Sequence, residues 1–243
     1  MHHMSTFVLV HGAWGGAHGW RWVRPLLQQA GHQVSTPSLT GLGERSHLSN
    51  PSVNLSTHVQ DVVNHLFYED LSDVVLVGHS YGGMVVTGVA DKVPERIAHL
   101  VFLDAFQPSS GQSLVDITGG RGQQPEQPGD WQIPPMRRTQ DQSDPIFQWS
   151  AARRGPQSRA CFEEKVELST PLEDRPFSLT YIVATQRPDP SPQFDQTAER
   201  LRQNPRWTVR TIDGDHNMQL GNPSGLAHLL LDLFGSKVPA LSS

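Results

Sequence analysis

The sequence predicts an α/β fold: a mostly parallel sheet of about six strands, flanked by helices and interrupted by one long insertion. Short apolar runs alternate with segments of helical spacing, as in parallel sheets with right-handed crossovers. The chain has 243 residues, enough for one full domain with a core of its own. The alternation stops after residue 105 and resumes at residue 179. We therefore expect one core domain, formed by residues 5–105 and 179–236.

The first elements are a strand, a loop with several glycines, a helix and a second strand. Residues 7–10 predict a buried strand that ends at the loop 11–16. The segment 20–30 has helical spacing and ends at Gly31, and residues 32–35 predict a short strand. No G-x-G-x-x-G follows the first strand, and no acidic residue that would hold a ribose ends the second. A dinucleotide site is therefore not expected here.

A helix is predicted after a loop at residues 37–51. Ser56 or Thr57 can cap it. Its apolar residues repeat at helical spacing: Val59, Val62, Val63, Leu66 and Phe67. Further along the chain, residues 97–103 predict another strand, and Asp104 stands at its end.

Residues 74–83 contain the serine around which the chain is organised. The four apolar residues that open this stretch predict a strand buried on both faces, and residues 84–90 predict a helix. Gly78 and Gly82 leave room for a sharp turn, so Ser80 is expected on a strained corner with its hydroxyl pointing outward. A strand, G-x-S-x-G and a helix in this order are typical of a nucleophile elbow.

Residues 106–178, called the insertion below, are predicted to form a lid. They contain proline and glycine pairs and scattered large apolar residues, and we expect no strands there. A long connection of this kind inside a compact domain is usually functional. Four aromatic residues are expected to bind substrate: Trp14 in the first loop, and Trp131, Phe147 and Trp149 in the insertion.

The α/β alternation resumes after the insertion. Residues 179–184 predict a strand, residues 194–202 a helix, residues 207–212 the last strand and residues 224–234 a closing helix. At the other end of the chain, residues 1–4 are expected to be a remnant of an expression tag.

Composition argues against several classes of function. The net charge of −5 and the lack of a basic run disfavour nucleic acid or an anionic membrane as a partner. The single cysteine, Cys161, excludes an internal disulfide, and no window is long and apolar enough to span a bilayer. No histidine spacing indicates a metal site, and no signal-peptide layout is present. We expect a cytoplasmic protein without a metal; the sequence leaves a homodimer open.

The residues that follow the strand ends suit acyl chemistry. A serine hydroxyl is a weak nucleophile and needs a base in reach and a third group to orient that base. The carboxyl ends of parallel strands meet at one edge of a sheet, and Ser80, Ala13, Asp104 and His216 all follow such ends. His216 is the predicted base, because it lies in the loop after the last strand, downstream of the nucleophile.

Two backbone groups are expected to form an oxyanion hole. The N–H of Tyr81 lies at the start of the helix that follows Ser80, and the N–H of Ala13 lies in the first loop. Such donors stabilise the negative charge of a tetrahedral intermediate.

Several segments together resemble the α/β-hydrolase superfamily and, within it, the group of esterases and hydroxynitrile lyases that includes bacterial carboxylesterases and plant methyl-salicylate esterases. These segments are residues 7–14, 25–27, 31–32, 78–83, 101–106 and 214–220. The resemblance implies that Ser80 is the nucleophile, that His216 is the base, that Ala13 and Tyr81 donate to the oxyanion, and that no cofactor is needed.

The identity of the acidic residue that would orient His216, the third member of the catalytic triad, stays open. In the plant members it follows the penultimate strand, but here that loop, residues 185–190, has arginine at the expected position. Asp189 lies two residues further on, between two prolines that restrict it. Asp104 is favoured, because some other α/β-hydrolases, including haloalkane dehalogenases, take their acid from the end of the strand after the elbow. Asp195, Asp213 or no acid at all are the remaining alternatives.

The resemblance implies a serine carboxylesterase that acts on a small or aromatic ester, with lactones as further candidates, through an acyl-enzyme. The lyases of the group have threonine and lysine at two positions where this chain has Gly12 and Asn217, so ester hydrolysis is favoured. A hydroxynitrile lyase or C–C bond hydrolase is the first alternative. A hydrolase-like ligand receptor is the alternative from another class.

Overall fold

The computed structural model describes residues 4–120, 127, 129–137, 144–187 and 191–235. The strands are β1 (Thr6–Val10), β2 (Gln33–Ser35), β3 (Val74–His79), β4 (Ile97–Leu103), β5 (Gln132–Ile133), β6 (Gln157–Ser158), β7 (Ser178–Ala184) and β8 (Trp207–Ile212). The α-helices are α1 (Arg24–Gln29), α2 (Leu55–Tyr68), α3 (Gly82–Lys92), α4 (Leu114–Thr118), α5 (Pro145–Ala151), α6 (Ala160–Glu163), α7 (Pro192–Arg202), α8 (Met218–Gly221) and α9 (Pro223–Phe234).

Six strands form the main sheet, in the order β2-β1-β3-β4-β7-β8. Each neighbouring pair in it is parallel. The predicted sheet of about six strands is therefore confirmed. Strand β3 is buried along its whole length, as its continuous apolar sequence predicts for a strand covered on both faces.

Helices cover both faces of this sheet. Helices α2, α3 and α7 pack on one face, together with Val8 and Leu76 of the sheet. Helices α1 and α9 pack on the other face, where Leu9 and Val77 point. Consecutive strand residues thus enter opposite halves of the core, which explains why the central strands need apolar residues at every position. No helix in the described ranges has both the length and the apolar character that crossing a membrane requires.

Two predicted helix boundaries near the N-terminus are wrong in detail. The predicted segment 20–30 is α-helical only at Arg24–Gln29 (α1), and a separate 3-10 helix, Ala17–Trp20, precedes it. This boundary places Pro25 in the first turn of α1, where its missing N–H leaves no helical hydrogen bond unmade.

The predicted cap of helix α2 is also wrong. Neither Ser56 nor Thr57 is the N-cap; instead the side chain of Asn54 accepts from the backbone N–H of Thr57 at 2.9 Å. The Thr57 hydroxyl in turn accepts from the Asn54 N–H at 3.4 Å, which completes a capping box. Asparagine is as good an N-cap as serine, and the helix begins at Leu55, two or three residues earlier than the predicted caps indicate.

The expectation that the insertion contains no strands is wrong as well. Strands β5 and β6 form a short antiparallel ladder within it, with Gln132 opposite Ser158 and Ile133 opposite Gln157. Two-residue strands are too short to produce a recognisable alternation of apolar and polar residues, so the sequence could not reveal them. Helices α4, α5 and α6 and a 3-10 helix, Leu172–Asp174, are also described there.

Candidate active site

Ser80 occupies the corner between β3 and α3. Its φ of 55° lies in the left-handed region that residues other than glycine rarely adopt. A Cβ on Gly78 would lie 2.6 Å from the carbonyl oxygen of Gly82, and a Cβ on Gly82 would lie 2.8 Å from the carbonyl oxygens of Val10 and His11. The tightness of the turn therefore requires Gly78, and the backbone at the end of β1 requires Gly82, so both glycines predicted from G-x-S-x-G are needed.

Gly78→Ala is expected to lower the free energy of unfolding by about 2 to 3 kcal/mol, because the new methyl group meets backbone atoms that cannot rotate away. Urea denaturation followed by circular dichroism measures the change. Gly19→Ala is the matched control: nothing lies within 4 Å of a Cβ placed there. If both variants have the same midpoint of urea unfolding as the wild type, the steric explanation of the elbow is wrong.

The side chains of Ser80, His216 and Asp104 form one continuous line of hydrogen bonds. His216 Nε2 lies 3.0 Å from Ser80 Oγ, and His216 Nδ1 lies 2.7 Å from Asp104 Oδ2. A carboxylate only accepts hydrogen bonds, so Nδ1 carries the ring proton and Nε2 is left to accept from the serine hydroxyl. The arrangement has the order nucleophile, base and orienting acid that acyl transfer requires.

Asp104 is fully buried at the end of β4, with a φ of 42°. Its Oδ1 atom accepts from the Ala184 N–H at 3.0 Å and from Nη1 of Arg187 at 2.6 Å. Of the other acids considered, Asp195 pairs with Arg187, whereas Asp213 is exposed. Asp189 lies outside the described residues. Within the described chain, Asp104 is thus the carboxylate in contact with His216.

The two N–H groups expected to form the oxyanion hole lie on loops that meet at Ser80. A Cβ on Gly12, next to Ala13, would come 3.0 Å from the Cβ of Ser80. Within the described residues, neither the N–H of Ala13 nor that of Tyr81 donates a hydrogen bond. Both groups are therefore available to a ligand oxygen, as an oxyanion hole requires.

Two other histidines beside the elbow have structural partners. His11 accepts from the Leu39 N–H at Nε2 (3.1 Å) and donates from Nδ1 to the carbonyl of Gly12 (2.8 Å). Burial lowers the pKa of His11 to about 4, so this ring is neutral at pH 7. His79 donates from Nε2 to the carbonyl of His216 at 2.7 Å and so supports the loop that carries the base.

Trp14 joins the first loop to the insertion. Its backbone N–H donates to Oε1 of Gln157 at 2.9 Å, and its indole N–H donates to the carbonyl of Ile133 at 3.1 Å. Its own carbonyl accepts from the Gly155 N–H at 3.1 Å. Trp14 is buried and has a φ of 62°. These contacts describe a link between loop and insertion; a role in substrate binding stays a prediction.

The three other aromatic residues expected to bind substrate have different neighbours in the structure. Phe147 is buried and lies 3.3 Å from where a Cβ on Gly221 would be, at the end of α8, the helix that follows His216. Trp149 packs edge-on against Trp22, with ring centroids 4.9 Å apart. Trp131 accepts from the backbone of Arg159. Phe147 is thus close to the element that follows the proposed base, whereas Trp149 packs beside α1.

Sequence reasoning missed a buried polar cluster behind the elbow. The Tyr81 hydroxyl donates to Nδ1 of His58 at 2.9 Å, and Nε2 of His58 donates to the carbonyl of Thr40 at 2.9 Å. Burial lowers the pKa of His58 to about 4 and raises the pKa of Cys161, whose sulfur is 3.9 Å from His58 Nε2, to about 12. The sequence did contain a signal for this cluster, because His58 is a polar residue on the apolar face of α2.

Sequence reasoning also missed Phe194, which lies on α7. Its ring stacks on that of His216, with centroids 5.1 Å apart and an angle of 11° between the planes. The contact supports the imidazole from one face. In the described ranges, no three histidine, cysteine or acidic side chains are grouped so that they could hold a metal ion.

A model of the alpha/beta hydrolase family matches residues 7–229, and the chain belongs to this family. The resemblance predicted from the sequence is therefore confirmed. Among curated relatives, the carbendazim hydrolyzing esterase of Nocardioides sp. (strain SG-4G) is 54% identical over 114 residues, which are 47% of this chain and 47% of that protein. Methylesterase 2 of Arabidopsis thaliana is 38% identical over 109 residues, or 44% of this chain and 41% of the relative. The chain thus matches less than half the length of each.

A solved structure extends the likeness to nearly the whole chain. It is an extracellular alpha/beta-hydrolase from a Paenibacillus species, described as sharing structural and functional homology with Tobacco Salicylic Acid Binding Protein 2. The TM-score is 0.78 at 27% identity, and the match covers 96% of this chain and 100% of that one. The predicted α/β-hydrolase fold class is therefore confirmed.

Proposed function

We propose that this chain is a serine carboxylesterase, with Ser80 as nucleophile, His216 as general base and Asp104 as the acid that orients the base. The observation that carries the proposal is the unbroken line of hydrogen bonds through these residues, at 3.0 Å and 2.7 Å. The esterase names of the relatives support the same reaction class. The substrate we propose is a small or aromatic carboxylic ester, with lactones as further candidates.

The reaction proceeds in two acyl transfers. Ser80 Oγ attacks the ester carbonyl while His216 Nε2 takes its proton, and Asp104 stabilises the resulting imidazolium. The carbonyl oxygen becomes an oxyanion that accepts from the N–H groups of Ala13 and Tyr81. The intermediate collapses as His216 returns the proton to the leaving alcohol, which gives an acyl-enzyme on Ser80.

Water then completes the cycle. His216 takes a proton from the water as it attacks the acyl carbon, and a second oxyanion forms in the same hole. Collapse releases the carboxylic acid and returns the proton to Ser80 Oγ. The residues named above suffice for both halves of the reaction, and the net change is the addition of one water molecule to one ester.

We propose that the insertion is the lid of this site. Ser80 is only 8% exposed, and Trp14 ties the first loop to β5 and β6. A cover of this kind excludes bulk water and strengthens the interactions of the oxyanion. The cytoplasmic location and a homodimer stay predictions.

The alternative reactions have less support. Gly12 and Asn217 stand where the lyases of the group have threonine and lysine, as noted from the sequence. The relatives reported above are esterases, which does not favour a lyase or a C–C bond hydrolase. No contact in the described residues favours a receptor over an enzyme.

A substrate panel tests the proposal. The wild-type protein is incubated with p-nitrophenyl acetate, methyl benzoate, a small lactone, a cyanohydrin and a β-diketone. We expect many turnovers on at least one ester, with release of the alcohol before the acid because an acyl-enzyme forms first. Release of cyanide or cleavage of the diketone without ester hydrolysis would instead identify the lyase or C–C hydrolase. A single slow turnover, together with ligand-dependent protection of the insertion from hydrogen exchange, would favour the receptor.

A further inference from the structure

Arg187 lies directly behind the Ser80, His216 and Asp104 line. Its side chain is only 7% exposed, and its Nη1 atom donates to Asp104 Oδ1 at 2.6 Å and to the Ala184 carbonyl at 2.8 Å. Its Nη2 atom donates to Asp195 on α7. The guanidinium therefore bridges a buried carboxylate and an exposed one.

Burial makes this contact energetically important. Asp104 is fully buried, and an ionised carboxylate in that environment is strongly destabilised unless a cation and hydrogen bonds compensate it. Burial alone would lower the pKa of Arg187, but the hydrogen bond to Asp195 and the charges of Asp104 and Asp195 outweigh it and raise that pKa above its ordinary value. Arg187 is therefore a permanent positive charge next to Asp104.

Arg187 also contacts Phe194, the aromatic residue whose ring packs on one face of His216. Its guanidinium carbon lies 5.8 Å from the ring centroid of Phe194, and Phe194 stacks on His216. One side chain is thus in contact both with the carboxylate that orients the imidazole and with the ring that packs on it. The arginine occupies the loop position where the plant relatives were expected to have their acid.

We propose that Arg187 is a positioning residue of this hydrolase: it holds Asp104 in place for its hydrogen bond to His216, and its positive charge offsets the negative charge of Asp104 beside the imidazole. The inference rests on the proposed function. A buried Asp104 without Arg187 would be an uncompensated anion, and it would favour the protonated imidazolium more strongly than the Asp104 and Arg187 pair does. Protonated His216 cannot accept the proton of Ser80, so activity would be lost at the acid end of the pH profile.

Other titratable groups surround the pair, and the Arg187 variants leave them unaltered in the sequence. His79 on β3 has its ring centroid 4.8 Å from that of His216, and Tyr181 on β7 donates its hydroxyl to the Ala105 carbonyl at 2.9 Å. Burial raises the pKa of Tyr181 well above its ordinary value, so this side chain is neutral. The other nearby acids are Asp195 on α7 and, in the loop that carries His216, Asp213, which is exposed, and Asp215; Asp215 accepts from the Asn217 N–H.

Arg187→Gln tests the charge, and Arg200→Gln is the matched control, because Arg200 is an exposed arginine of α7 whose partner is Gln107. Two measurements are made on each variant: the pH profile of kcat/KM for an ester that the wild type hydrolyses, and the NMR titration of the His216 ring, assigned by comparison with His216→Gln. In Arg187→Gln we expect the acid limb and the ring titration midpoint to move up by about one pH unit, which is about a tenfold loss of activity on that limb. Arg200→Gln should leave both at their wild-type positions.

The outcomes separate this inference from the proposed function. A folded Arg187→Gln variant with an unmoved acid limb and an unmoved His216 titration would overturn the role of Arg187. If Arg187→Gln does not fold, Arg187→Lys decides: a retained charge should hold the titration within a few tenths of a unit of wild type, and a shift of a whole unit would overturn the inference. If the wild type hydrolyses no ester, the proposed function fails, while the ring titration still tests Arg187.

Discussion

Ser80→Ala is expected to reduce kcat for ester hydrolysis by about 10⁴- to 10⁶-fold. The variant lacks the oxygen that lies 3.0 Å from His216 Nε2, so no acyl-enzyme can form and only binding and the oxyanion donors remain. The fold should be intact, because one hydroxyl is removed and the tight packing around Gly78 and Gly82 is unchanged. Thermal unfolding and far-ultraviolet circular dichroism verify this.

A covalent probe makes the same test independent of turnover. A fluorophosphonate should add its phosphonyl group to the wild-type protein and to Ser46→Ala, a control at an exposed serine, as seen by intact mass. Ser80→Ala should stay unlabelled. Hydrolysis at the wild-type rate by a folded Ser80→Ala protein, or its labelling by the probe, would contradict the assignment of Ser80 as nucleophile.

Asp104→Asn should reduce kcat by about 10³- to 10⁴-fold. An asparagine amide turned toward His216 can donate to Nδ1, which would move the ring proton to Nε2, where it blocks proton transfer from Ser80. The substitution also removes the buried negative charge that pairs with Arg187, so a loss of stability is expected as well. Steady-state kinetics together with urea denaturation separate the two effects.

Asp189→Asn is the discriminating comparison, since Asp189 is the other acid considered from the sequence. We expect it to retain activity within a few-fold of wild type. The opposite pattern, with Asp189→Asn inactive and Asp104→Asn active and folded, would assign the acid to the loop after β7. Equal and small losses in both would mean that the base works without a buried carboxylate.

The sheet and the elbow could be predicted because their physical causes are local. Continuous apolar runs mark strands covered on both faces, and Gly78 is required by its contact with Gly82 within the turn itself. Short strands and helix caps were harder to predict from the sequence. The two-residue strands β5 and β6 have no periodicity, and Asn54 competes with two equally plausible caps a few residues away.

The position of the acid depends on strand order, which the sequence does not state. Strands β4 and β7 are neighbours, with Leu103 opposite Ile182, so the end of β4 lies beside the loop that carries Arg187. This pairing brings Asp104 and Arg187 together, although they are 83 positions apart in the chain. The arginine itself was visible in the sequence, but its partner depended on a pairing known only from the folded chain.

The hydrogen bonds made by Trp14 have a mechanical consequence. The residue follows Ala13, and its three bonds end on the backbone or side chains of Ile133, Gly155 and Gln157. Any displacement that lifts this part of the chain away must break all of them together and leave several buried polar groups without partners, each at a cost of about 1 to 3 kcal/mol. Movement of the insertion away from the first loop and distortion of that loop are therefore expected to occur as one cooperative event.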